Sequence, residues 1–187
     1  MTSGRRPIAR PAEGVVEILD QTRLPHRTEI LRLTTVEEVA EAIVTMRVRG
    51  APLIGATAAY GMMLGAARDS SAAAIEAAHA RLLATRPTAI NLKWALDRMR
   101  ARLLSLAPAA RAAAAVAEAD AVVAEDVAIC SAIGDHGLEI FRAILAAAVK
   151  PESRLRLGDA LVKLGHELGL SNADVDQIER QREKTPA

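Results

Sequence analysis

Apolar residues along this chain change period twice, and each change predicts a different kind of element. Val15-Val16-Glu17-Ile18-Leu19-Asp20 reads as a short strand, and Thr28-Glu29-Ile30-Leu31-Arg32-Leu33 alternates polar and apolar positions as a half-buried strand does. Turn residues Gln21-Thr22-Arg23-Leu24-Pro25 lie between them, so the two should pair as a hairpin with a longer loop. The period then becomes helical: Val36, Val39, Ala40, Ile43 and Met46 fall on one face. Thr35 with Glu38 after it is a capping box that fixes where this helix starts. Residues 1–14, basic and proline-containing, read as a disordered lead-in.

Residues 52–67 are apolar nearly all round, which predicts a helix buried on most sides. Gly55, Gly61 and Gly65 inside it cost helix stability. They make sense where another backbone or a ligand comes close. Ser70 or Ser71 can cap a third helix through Leu83, and Leu92, Leu96, Met99, Leu103 and Leu106 form the stripe of a fourth. A long alanine-rich helix follows over residues 108–133, with Val116, Val123, Val127 and Cys130 on a common face. Gly134-Asp135-His136-Gly137 reads as its terminator. Beyond Phe141 the pattern is new: helix over 142–149, a break at Pro151, a stripe of Leu157, Leu161, Leu164 and Leu168, a cap at Ser171-Asn172-Ala173-Asp174, and a polar, frayed end over 181–187. The expected fold is mainly α with a small N-terminal β-hairpin or antiparallel sheet (α+β). It divides into a lead-in (1–14), a helical domain (15–141) and a divergent helical tail (142–187).

Composition narrows the function more than the fold. The 187 residues carry 24 Lys and Arg against 23 Asp and Glu, a formal net charge of +1, and only 2% aromatics. Neither a phosphate-neutralising face nor base-stacking platforms are expected, so no nucleic acid is expected as a partner. No stretch is apolar for long enough to span a bilayer, because Arg68-Asp69 closes the run that begins at Pro52. The single cysteine, Cys130, suits a reducing compartment, and a cytoplasmic location is expected. On its apolar stripe Cys130 reads as a small core residue. Asp135 and His136 read as helix punctuation rather than an acid/base pair.

Candidate chemistry gathers where the first long helix ends. In Val48-Arg49-Gly50-Ala51-Pro52, Gly50 can take positive φ and Pro52 suits the first helical position. The helix start offers unpaired N–H groups to an anion, and Arg49 adds a forked cation. Turn statistics alone favour a helix–helix turn with a solvated arginine. Arg86 repeats the arrangement: Pro87 after it biases it to extended geometry ahead of another helix.

Four ordered motifs carry a family resemblance. Leu19-Asp20-Gln21-Thr22-Arg23-Leu24-Pro25, Val48-Arg49-Gly50-Ala51-Pro52, Arg86-Pro87-Thr88-Ala89-Ile90-Asn91-Leu92 and Ile133-Gly134-Asp135-His136-Gly137 make residues 15–140 similar to methylthioribose-1-phosphate isomerases. Ribose-1,5-bisphosphate isomerase and the regulatory subunits of the guanine-nucleotide exchange factor of translation initiation share that architecture. The first and third motifs favour the methylthioribose enzymes.

The resemblance implies cofactor-free and metal-free isomerisation of 5-methylthioribose 1-phosphate to 5-methylthioribulose 1-phosphate, a step of methionine salvage. It implies that Arg49, Gly50, Ala51 and Arg86 bind the phosphorylated sugar. The phosphate on the anomeric carbon prevents ordinary ring opening, so a general acid/base pair in a water-poor pocket is required. In the family that pair is a cysteine within Thr-His-Cys-Asn-Ala-Gly and an aspartate in a Rossmann-like second domain. Neither motif occurs here, and that domain is expected to be absent, leaving no catalytic residue to assign and a chain inactive alone. A non-catalytic binding or interaction protein, with a homo-oligomer as one form, is the alternative. The tail, from Arg142-Ala143-Ile144-Leu145 to Lys184-Thr185-Pro186-Ala187, resembles the C-terminal part of plasmid-stability ribbon–helix–helix antitoxins without their DNA-binding ribbon.

Overall fold

The computed structural model describes residues 6–149, 157–169, 171 and 173. Among the described residues, three strands, β1 (Ile8–Ala12), β2 (Val15–Leu19) and β3 (Ile30–Leu33), are followed by six helices. These are α1 (Val36–Val44), α2 (Ala51–Arg68), α3 (Ala72–Leu83), α4 (Ile90–Leu104), α5 (Pro108–Val149) and α6 (Leu157–Glu167). The described chain is thus mainly helical with a small antiparallel sheet, as its periodicity indicates.

The sheet runs in the order β1-β2-β3, antiparallel throughout. β2 is central, and Val16 and Ile18 point inward from it beside Ile8 of β1 and Leu33 of β3, all four buried. The hairpin of β2 and β3 matches the expectation. The lead-in does not: its residues 8–12 form an edge strand, registered Ile8 to Ile18 and Ala9 to Glu17, with an irregularity before Ala12 pairs with Val15. Pro11 is tolerated there because an edge strand need not donate every N–H.

α1 begins at the expected capping box. The Glu38 N–H donates to Thr35 Oγ1 (3.1 Å), and Glu38 Oε2 accepts from the Thr35 N–H (3.0 Å). The helix ends at Val44 and Thr45 caps it, so Met46 lies beyond the helix and not on the face where its spacing placed it. α2 is the central helix, buried from Leu53 to Leu64, and it packs against α1, α3 and α4. Its glycines have the neighbours their cost calls for. A Cβ on Gly55 would lie 2.9 Å from the Asn91 backbone oxygen, one on Gly61 2.9 Å from Val39 and Leu82, and one on Gly65 3.2 Å from Val36. Ser71 caps α3 by accepting from the Ala74 N–H (3.2 Å). Leu92, Leu96, Met99 and Leu103 of α4 are fully buried.

Two compact units divide the chain, Met1–Ala128 and Ile129–Ala187, and α5 contributes residues to both. In the first unit, Ala115, Ala119, Val122 and Val123 of α5 are buried. In the second, three expectations are corrected. Gly134-Asp135-His136-Gly137 does not end the helix, which continues unbroken to Val149, so residues 142–149 belong to it. Two glycines alone raise a helix's cost without stopping it when no left-handed residue follows. Cys130 is exposed rather than buried, because a helical stripe need not be covered along its whole length. Of the leucines read as a stripe over 157–168, Leu161 and Leu168 are exposed. The readings at Pro151 and over 181–187, and most of the Ser171-to-Asp174 cap, lie outside the described residues. Among the described residues no helix is long and apolar enough to cross a membrane.

Candidate functional site

The loop after β2 positions the turn that carries Arg49. Asp20, buried at its start, accepts from the Thr22 N–H (2.9 Å) and the Thr22 hydroxyl (2.6 Å). Burial pushes the Asp20 carboxyl up, but the two Thr22 donors, with Arg47 and Arg23 nearby, outweigh it and hold it below its ordinary value. Next to it the Gln21 N–H donates to the Arg47 carbonyl (2.9 Å), and the Arg47 N–H donates back to Ala42 at the end of α1 (3.0 Å). The Asp20 carboxylate thus shapes the loop, and the Gln21 backbone N–H ties it to the 45–49 turn.

Within that turn Met46 adopts φ +61°, a left-handed conformation uncommon for a side chain of its size. Both candidate arginines meet it. Arg49 Nε donates to the Met46 carbonyl (3.4 Å), and Arg86 Nη1 lies 3.6 Å from the Met46 sulfur. Residues far apart in sequence are thus brought to one methionine. Arg49 is exposed and Arg86 half-buried, and neither has a carboxylate partner among the described residues. The cation pair is left unneutralised.

Gly50 takes φ +90° and ψ 129°, and it caps α2 with no side-chain hydrogen bond. Ala51 is the first helical residue and Pro52 the second, one position later than expected. Gly50, Ala51 and Pro52 are exposed. The start of α4, capped by Ala89, likewise has no side-chain cap. It sits against α2, since the Asn91 carbonyl in its first turn is the neighbour of Gly55. Two helix N-termini with open N–H groups therefore adjoin, each preceded by an arginine. Such ends attract anions through their unpaired donors and dipoles.

The structure thus brings Arg49, Gly50, Ala51 and Arg86 to one corner of the first unit. Asp135, His136 and Cys130 belong to the second unit. His136 is exposed and lies 3.8 Å from Glu139 on its own helix. Among the described residues no three His, Cys, Asp or Glu side chains are grouped to hold a metal ion. Met46 is the site residue that periodicity missed, since it was counted on the face of α1. The signal was Arg47 and Arg49 directly after it, where polar residues replace the apolar period.

Comparison with known proteins follows the same geometry. Residues 47–155 match the Initiation factor 2 subunit family, a span that begins in this turn and passes through residues 142–155 of the segment set apart as a tail. The chain is 56% identical over 141 residues to the methylthioribose-1-phosphate isomerase of Rhodospirillum centenum, covering 75% of this chain and 38% of that protein. To the protein of the same name from Methylobacterium nodulans it is 58% identical over 130 residues, covering 70% and 36%. It therefore spans less than two-fifths of the length of these curated relatives. Among solved structures, 5-methylthioribose 1-phosphate isomerase from Pyrococcus horikoshii superposes with a TM-score of 0.63 at 35% identity, covering 67% of this chain and 38% of that one. Translation initiation factor eIF-2B, subunit delta, from A. fulgidus gives 0.61 at 34% identity, covering 65% and 37%. With a family match over more than half its length, the chain belongs to the Initiation factor 2 subunit family.

Proposed function

We propose that this chain is the phosphosugar-binding portion of a methylthioribose-1-phosphate isomerase. Arg49 and Arg86 would clamp the phosphate, and the exposed N–H groups at Gly50 and Ala51 would receive its remaining oxygens. The observation that supports this most is the meeting of Arg49 and Arg86 at Met46, beside two uncapped helix starts. A phosphate on the anomeric carbon gives such a cradle a dianion to hold and fixes which end of the sugar enters first. The relatives named above supply the choice of substrate, 5-methylthioribose 1-phosphate.

Isomerisation moves a proton between adjacent carbons and needs an acid/base pair. The family segments bearing the catalytic cysteine and aspartate have no counterpart in these 187 residues. The activity proposed for this chain by itself is therefore binding in the cytosol, without turnover. Losing a general acid/base costs roughly 10² to 10⁴ in rate, and losing the wall that excludes water costs more.

Titration calorimetry with 5-methylthioribose 1-phosphate, run beside a coupled turnover assay, tests both halves. Saturable binding without product formation is expected, and Arg49→Ala should weaken binding at least about tenfold, the loss of a charge-assisted hydrogen bond. Conversion above background would contradict the reading of the chain as a binder. An unchanged affinity in Arg49→Ala would remove Arg49 from the site. The nearly equal likeness to the eIF-2B subunit favours one alternative, a protein-interaction role, and absence of any phosphosugar binding would support it.

A further inference from the structure

Met46 stands where helix ends ordinarily place a glycine. α1 closes with the pair of hydrogen bonds that a left-handed residue makes possible. The Met46 N–H donates to the Ile43 carbonyl (3.2 Å), and the Arg47 N–H donates to the Ala42 carbonyl (3.0 Å). The φ of +61° that this requires is open to glycine and unfavourable for a residue with a Cβ. A methionine kept at such a position points to a task for its side chain. The contact it makes is with Arg86, whose Nη1 lies 3.6 Å from the sulfur.

Solvent also reaches this sulfur. Of the five methionines, Met62, Met63 and Met99 are at most 2% exposed, whereas Met46 is 38% exposed. Met1 lies outside the described residues. An oxidant must touch a thioether to oxidise it, so among the described methionines Met46 is the one set to react first. With hydrogen peroxide the step is a two-electron transfer. A sulfur lone pair attacks one peroxide oxygen, and the S–O bond forms as the O–O bond breaks. The departing hydroxide takes the proton of the transferred oxygen, leaving methionine sulfoxide and water.

The product changes what Arg86 meets. A thioether is a weak acceptor, and 3.6 Å is a long contact. A sulfoxide oxygen is a strong acceptor. Turned toward Arg86, it falls within hydrogen-bond reach of the guanidinium that the phosphate would need. Its partial negative charge also faces the dianion. The Met46 carbonyl already accepts from Arg49 Nε (3.4 Å), so one oxidised residue would engage both arginines.

We propose that Met46 is a reversible oxidation site controlling the phosphosugar cradle: a hydroperoxide converts its thioether to the sulfoxide, whose oxygen takes the Arg86 guanidinium and closes the cradle to phosphate. The effect on affinity rests on the phosphosugar reading given above, whereas the site of oxidation rests on the turn alone.

The test treats the full chain with hydrogen peroxide and measures sulfoxide at each methionine by peptide mass spectrometry. Calorimetry gives the affinity for 5-methylthioribose 1-phosphate before and after. Met46 should oxidise at least about tenfold faster than Met62, Met63 and Met99, and the oxidised chain should bind at least about tenfold more weakly. The two methionine sulfoxide reductases, one for each epimer, should restore the affinity. The exposed thiol of Cys130 also meets peroxide, so Met46→Leu, which keeps it, is treated in parallel. Its affinity should stay at its own untreated value. Oxidation spread evenly over the methionines, or an affinity that Met46 oxidation leaves intact, overturns the proposal. A loss shared by Met46→Leu, or one that the reductases do not reverse, overturns it as well. An untreated chain that does not bind the sugar phosphate overturns the phosphosugar reading and the control of affinity together, while the peptide analysis still decides the site of oxidation.

Discussion

Gly50 fixes where α2 begins and which way Arg49 departs from the chain. Its φ of +90° with ψ of 129° belongs to a region that residues with a Cβ avoid. Space is not the obstacle, since nothing lies within 4 Å of an added Cβ. Gly50→Ala should therefore cost about 1–3 kcal/mol of backbone strain, readable as a lower urea midpoint, and weaken phosphosugar binding in parallel. Arg111 is a second residue whose role only the fold reveals. It is 7% exposed, and its guanidinium donates to the carbonyls of Leu103 and Leu106 (both 3.0 Å) and of Ser70 (2.9 Å). A buried cation with no carboxylate partner among the described residues thus caps the end of α4, where the dipole is negative. Arg111→Met keeps much of the volume and removes the donor to the Leu106 and Ser70 carbonyls, while Leu103 still accepts from the Leu106 N–H (3.2 Å), so a loss of about 1–3 kcal/mol is expected, with phosphosugar affinity unchanged once folded protein is assayed.

Between helices, the close approach of α2 and α4 sets the distance between their open N-termini. Gly55 allows it, because a Cβ there would meet a backbone oxygen, that of Asn91, at 2.9 Å. Gly55→Ala must push the start of α4 away, with an expected cost of roughly 1–3 kcal/mol, typical of overpacking. Arg86 would move with α4, so affinity should fall even in folded protein. This is measurable by calorimetry below the melting transition. The same elements mark how far the sequence could be read. α1 was legible because its capping box and apolar face agree, and α2 because an all-round apolar helix with three glycines has few other uses. β1 was not, since Ile-Ala-Arg-Pro-Ala has little strand preference and is held by pairing to β2. The continuity of α5 through Gly134-Asp135-His136-Gly137 was not legible either, as a stop signal works only where the backbone takes a left-handed turn. Cys130 was misjudged for a related reason: periodicity gives a helix its face but not the length over which that face is covered.

For the whole molecule, carboxylates set the behaviour in acid. Asp120 of α5 accepts two hydrogen bonds from Arg10 of β1 (3.1 and 2.5 Å) and one from the Tyr60 hydroxyl (3.0 Å), joining sheet, α2 and α5 within the first unit. The Arg10 guanidinium, and behind it Tyr60, hold its carboxyl below the ordinary range against the opposing effect of burial. Asp20 is lowered too, its burial being outweighed by Thr22. A group whose folded value lies below its unfolded one, about 3.9 for Asp, binds more protons when unfolded. Its stabilisation is complete above that unfolded value and is lost as the pH falls through the folded one. Melting temperature should accordingly be flat from about pH 7 to 5 and fall below about pH 4, and Asp120→Asn should flatten part of that fall.

At this scale the site was half legible. The arginines and Gly50 announce themselves by type and by the proline or helix that follows each. Their meeting at Met46 depends on a left-handed residue and a loop hydrogen bond from Gln21 to Arg47, which no local pattern encodes. That convergence is the central claim, and one titration tests it most directly: 5-methylthioribose 1-phosphate against unphosphorylated 5-methylthioribose, on the wild-type chain and on Arg49→Ala, Arg86→Ala and the double variant. Residues that share one phosphate should couple. The account predicts that the phosphorylated sugar binds at least about tenfold more tightly than the free one, that either substitution erases most of that preference, and that the double variant loses little more. Equal binding of the two sugars, or losses that simply add, would contradict it.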